Sequence, residues 1–207
     1  MGNPFAETAY IADGRDFYVM NADGSEIMAS ETNSIAPMEG VFVIANTDGE
    51  TMTFTTSAPN NNGKGIALNL IKGDPSTGSG TAVIDRAIVH FDEGRQLPKH
   101  QINRNSTKVY ISQDNRDYAV VNAENEGKTL VNFKAKENGT YTISVDVDNV
   151  EMEYLHLIDN LTGDDVDLLA LRQAQGPASY TFTAKTTDDA NRFKLVFVVN
   201  NGLSTLR

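Results

Sequence analysis

Two acidic turns hold the densest groups of hard oxygens in this sequence. Asn21, Asp23 and Glu26 surround Gly24, and Asp159, Asn160, Asp164 and Asp165 surround Gly163. Carboxylate and amide oxygens gathered on a tight turn are the chemistry of calcium binding. Neither stretch has the spacing of a full twelve-residue calcium loop, and Asp and Asn are also the residues that shape ordinary turns. The expectation is therefore structural, with no catalytic residue, no cofactor site and no metal site assigned. Asp159, Asn160, Asp164 and Asp165 stand as the calcium candidates.

Other constellations carry less. The three histidines, His90, His100 and His156, are never three or four residues apart, so a metal or nucleophile-base site would need tertiary convergence. Asp146, Asp148, Glu151 and Glu153 could supply a pair of catalytic acids, but they read as solvated edges of two neighbouring strands. The serines lack the Gly-x-Ser-x-Gly elbow. The glycine-rich run 73–80 lacks the Lys and the strand-to-helix setting of a phosphate loop. Tyr10, Phe17, Tyr18, Tyr110 and Tyr118 could form a sugar platform, yet they fit core alternation and the chain has no Trp. With no cysteine, thiol catalysis, disulfides and zinc-cysteine sites are excluded. The Asn-x-Thr triplets at 105, 138 and 160 are expected by chance in so Asn- and Thr-rich a chain.

The surroundings of these residues are acidic. Lys and Arg number 17 against 28 Asp and Glu in 207 residues, a formal charge of −11 that repels nucleic acid and anionic lipid. Apolar stretches are of strand length, so no membrane span is expected.

Period-two alternation runs through almost every segment that can be read. In 140–147, Tyr141, Ile143, Val145 and Val147 alternate with polar residues; in 192–199, Phe193, Leu195, Phe197 and Val199 share a face and Val196 and Val198 make the other apolar too. Further strands are predicted at 16–20, 41–45, 51–56, 65–71, 81–91, 108–112, 117–121, 128–135, 153–158, 164–169 and 179–185. Between them stand the turn pairs Asp13-Gly14, Asp23-Gly24, Asp48-Gly49, Asn62-Gly63, Asn138-Gly139 and Thr162-Gly163. All six prolines fall outside strand cores. The best short helical candidates are 124–128 and 168–175, with 173–175 read instead as a hairpin-tip insertion ending at Gly176-Pro177. Strands at short intervals with such punctuation predict an all-β chain of two antiparallel β-sandwich or jelly-roll modules, 1–94 and 95–207, parted in the polar stretch 92–106. The second module's predicted core is Val120, Phe133, Tyr141, Ile143, Val145, Leu155, Leu157, Phe182, Phe193, Leu195 and Phe197.

Gly2-Asn3-Pro4-Phe5, followed by Ile35-Ala36-Pro37-Met38-Glu39-Gly40-Val41-Phe42-Val43, resembles a pattern of large surface and secreted proteins of the Bacteroidetes, with Val41 where that pattern often has Phe. The second half is similar to their paired C-terminal module through Asp117-Tyr118-Ala119-Val120-Val121-Asn122, Gly139-Thr140-Tyr141-Thr142, Leu155-His156-Leu157-Ile158-Asp159, Ser179-Tyr180-Thr181-Phe182-Thr183 and Arg192-Phe193-Lys194-Leu195-Val196-Phe197. The resemblance implies a fragment of an exported protein of the kind associated with type IX secretion, with the first module truncated at its N-terminus and any targeting signal outside the chain. It implies no catalytic residues. The function expected is a non-catalytic structural or adhesive module, extracellular or on the cell surface, whose partners are the other domains of its parent protein and a glycan or host surface protein. The alternative is a carbohydrate-binding accessory module of a polysaccharide-degrading system.

Overall fold

A computed structural model describes residues 1–59, 63–78, 81–92, 94–175 and 178–200, the side chains of 174 and 175 excepted. The turn residue Asn62, Ser79 and Gly80 of the glycine-rich run, and the Gly176-Pro177 turn lie outside the described residues.

The first 59 residues form a lobe of short pairings. β1 (Tyr10–Ile11) is antiparallel to β4 (Phe54–Thr55), and β2 (Tyr18–Met20) to β3 (Ile27–Ala29). Single bridges join Gly2 to Gly40, Ala9 to Ile35 and Tyr18 to Phe42. The Asn3 side chain donates to the carbonyls of Glu7, Ile35 and Ala36 and accepts from the Phe5 N–H, so it ties the Gly-Asn-Pro turn to the second half of that sequence pattern. Ile11, Phe17, Ile35 and Val41 make a small core.

The remaining strands are β5 (Gly65–Lys72), β6 (Val83–His90), β7 (Leu97–Pro98), β8 (Lys108–Gln113), β9 (Arg116–Asn122), β10 (Glu126–Lys134), β11 (Gly139–Asp148), β12 (Met152–Asp159), β13 (Asp165–Asp167), β14 (Ala178–Ala184) and β15 (Phe193–Val199). They form one mixed sheet nearly closed into a barrel, in the order β13-β12-β15-β10-β8-β9-β6-β5-β11-β14, with β7 added beside β9. Alternation fills the inside: Leu68, Val89, Val131, Tyr141, Ile143, Leu155, Phe193 and Leu195 are each fully buried there, and Phe133 meets Phe182 edge to face. On the outside, Ala67, Ile88, Ala119 and Val120 are covered by Tyr18, Ile27 and Ala29 of the lobe. This explains why β5 is buried without a break from Gly65 to Ile71, since both of its faces are covered.

The barrel's seam lies between β14 and β13. α1 (Leu168–Gln175) packs there against β12 and β14, with Leu168 buried in the core, and the Asp167 carboxylate caps it by accepting from the Leu169 and Ala170 N–H groups at 3.0 Å.

The all-β class is as expected, but the arrangement differs from two antiparallel sandwiches. β6 and β9 are parallel, and strands on both sides of the expected 94/95 boundary belong to one sheet: β5 pairs with β11 and β6 with β9. The polar stretch between β6 and β8 is a crossover tied to neighbouring elements through Lys99 and the Ile102 and Asn103 N–H groups. Segment 41–45 contributes only the Phe42 bridge, residues 168–175 are helix, and 124–128 enters β10. Every residue of the predicted second core is buried, although Val120 faces the lobe and not the barrel interior.

Candidate functional site

Of the candidate calcium residues, Asp159 and Asp164 share the Tyr180 hydroxyl, at 3.1 and 2.6 Å, while Asn160 and Asp165 turn elsewhere. Asp159, fully buried, receives Arg192 Nε at 3.1 Å from both of its oxygens and Nη2 at 2.8 Å, while its Oδ1 also accepts from the Leu161 N–H. The Arg192 guanidinium lies over Phe182, 4.5 Å from the ring centre, and donates across the seam to the Thr183 carbonyl. Asp164 accepts from the Tyr180 hydroxyl at 2.6 Å and from Thr162; these two bonds hold its carboxyl below the ordinary value. Burial, and then the Asp164 bond, push the Tyr180 hydroxyl up. Asp165 turns instead to His156 Nδ1 at 2.7 Å, and Asn160 to the Asn191 carbonyl. Gly163 supplies the positive φ, 83°, that the turn requires.

The first acidic turn is occupied by backbone. Asn21 Oδ1 accepts from the Ser25 and Glu26 N–H groups, and Asp23 from Ser25. Glu26, 2% exposed, points away and accepts from the N–H groups of Ile102 at 2.5 Å and Asn103 at 2.9 Å, pinning the 99–106 crossover to the lobe. Among the described residues no group of three or more His, Asp or Glu is arranged to hold a metal ion. Of the four clustered acids, Asp146 accepts from Asn69 at 2.8 Å while Asp148 lies beside a cleft between lobe and sheet.

The histidines are separate. His90 Nε2 lies 3.5 Å from Asp16, which also pairs with Arg95. Burial pushes the Asp16 carboxyl up, but His90 and Arg95 together outweigh it and the pKa lies below its ordinary value. His100 meets Tyr18 edge to face, and His156 stacks on Tyr154 with ring centres 4.1 Å apart. Phe17, Tyr18, Tyr110 and Tyr118 are buried, so these four cannot offer ring faces to a sugar.

Sequence reading missed the internal ion pairs. Asp85 and Arg86 sit side by side in β6, one on each face of a doubly covered strand. Asp85, 1% exposed, accepts from Lys99 Nζ at 2.5 and 2.6 Å and from the Val109 N–H. Arg86 donates to Asn69, to the Ala29 carbonyl at 2.9 Å and to Glu31 at 3.0 Å, fastening lobe to sheet. Adjacent opposite charges inside a long apolar strand are the signal that each face must supply a partner.

Several clefts open among the described residues. One, of about 290 Å³, lies between lobe and sheet beside Asp16, His90 and Arg95. Another, of about 780 Å³, lies between the β8–β9 hairpin and the first half of β10. Among the described residues no helix is long and apolar enough to cross a membrane. No protein-family model, curated protein or solved structure matches this chain.

Proposed function

We propose that the chain is a non-catalytic structural or adhesive module of an exported bacterial cell-surface protein, holding neighbouring domains at a fixed spacing or contacting a partner. The observation that carries this reading is the use of its buried charges. Arg86 and Glu26 fasten the lobe to the sheet and its crossover, Asp85 and Lys99 fasten the crossover to the barrel, and Asp159 and Arg192 close the seam. Groups so engaged rigidify a scaffold. Export and surface location rest on the sequence resemblance alone.

A rigid spacer must unfold as a unit. Scanning calorimetry of the chain is expected to give one transition, with Arg86→Met lowering the midpoint of the whole; two independent transitions would defeat the spacer reading. A glycan array is expected to stay blank, and saturable sugar binding would favour the carbohydrate-binding accessory reading instead.

A further inference from the structure

We infer that the inner edge of β10 is a docking site for an extended basic peptide segment of a partner protein, taken up as an added strand. β10 pairs with β15 along Glu126–Val131, but on its other side the ladder with β8 begins only where Val131 meets Ile111. The Val199 N–H donates to the Asn125 carbonyl, and Gly127 and Thr129 stand opposite Phe197 and Leu195 in the same register. By antiparallel alternation, the peptide groups of Glu126 and Lys128 therefore point the other way, into the 780 Å³ cleft. Main-chain donors and acceptors at strand spacing are complementary to another strand above all.

The walls select the occupant. Opposite β10 stand Ser112 and Gln113 of the β8–β9 hairpin, which form the far wall of the cleft. Gly127 leaves the edge without a side chain next to Phe197: even an added Cβ would stand 3.8 Å from that ring, which is ordinary contact. An apolar side chain of the incoming strand, opposite Gly127, would fill this space, as aromatic residues do opposite edge glycines. Phe197 is 1% exposed and meets Phe91 edge to face, so the floor has no open ring face for a pyranose. The exposed Glu124 and Glu126 at the rim outnumber the one exposed cation there, Lys128, and within a chain of charge −11 they favour alternate basic residues on the outward face of the strand.

The inference rests on the adhesive side of the proposed function, and its test reads one edge of one strand. The probe is the acetylated, amidated peptide Lys-Val-Lys-Phe-Lys-Val-Lys, titrated into the ¹⁵N-labelled chain. Saturable shifts are expected at 126–130 and at Ser112 and Gln113. Lys128→Ala should bind equally or more tightly. Lys128→Pro, which removes a cleft-facing N–H but no bond to β15, should bind about tenfold more weakly, the loss of one or two main-chain hydrogen bonds. The same peptide N-methylated at alternate amides should not bind the unaltered chain, which keeps the test independent of how Lys128→Pro folds. An acidic counterpart with Glu for Lys should not bind either. Absence of saturable shifts, shifts elsewhere, equal affinity of the N-methylated peptide, or a dimer of the chain formed through this edge would each overturn the proposal. If calorimetry still showed a single transition, such a failure would leave the spacer reading standing.

Discussion

The lobe and the barrel are built from the same residue types but held by different forces. In the barrel, strands of up to ten residues share ladders around an apolar interior. In the lobe, pairings are two or three residues long or single bridges, and side chains do the joining: Asn3 to Ile35, Glu26 to Ile102, Arg86 to Ala29. Damage to the barrel should spread along ladders through the whole sheet. In the lobe protection should fall first near the lost hydrogen bond.

The sharpest break in this contrast is in the barrel core. Phe193→Ala or Phe197→Ala should each cost about 3 to 5 kcal/mol in chemical denaturation, the lost transfer free energy plus the cavity left behind. Exchange protection should fall throughout the sheet. Wild-type stability in both would mean that the interior is not the source of cohesion.

Glu26→Ala should cost less, about 1.5 to 3 kcal/mol, because hydrogen bonds from backbone N–H to a charged carboxylate are lost. Hydrogen exchange should quicken first at Ile102 and Asn103, with β12 and β15 still protected. Equal loss of protection everywhere would erase the distinction between the two regions.

Asp16 sharpens the comparison through pH. Its folded pKa is depressed, so its contribution is present above the unfolded value and is lost as pH falls below about 4 toward the folded value. Thermal midpoints of wild type and Asp16→Asn should differ at pH 7 and converge as pH is lowered to 3. A gap that stays constant would place the effect in packing.

The smallest effect concerns the seam. Calcium and magnesium should raise the midpoint equally and in step with ionic strength, because Asp159 is already held by Arg192 and the added ions only screen like charges. A calcium-specific rise that saturates would show a site at the Asp159 to Asp165 turn.

The barrel strands were legible because alternation in 140–147, 153–158 and 192–199 is imposed by one buried face, and β11, β12 and β15 cover those stretches. The lobe was far less so. At 41–45 the alternation is present, but the backbone meets only one bridge, since side-chain bonds replace a ladder. The 92–106 stretch reads as a linker because it is polar. Its polar groups are instead partnered, Lys99 with Asp85 and the 102–103 amides with Glu26, and composition cannot show who the partner is. The same limit hid the barrel: period two says that a strand has a buried face, not which strands close on one another. The edge at Glu126 and Lys128 was invisible for the opposite reason, since a missing neighbour leaves no mark on the residues that lack it.

The position of β5 sets the order in which this protein can assemble. That strand lies between β6 and β11, and Asn69 is 77 residues from its partner Asp146. A chain emerging N-terminus first can form the β5–β6 pair early, but it then carries an apolar strand with an open flank until β11 has been made. Closure of the ring waits on a long loop and should be slow. During that interval the lobe can shield only one side of β5, so a chaperone or a narrow export channel acting on the nascent chain would find its exposed surface there.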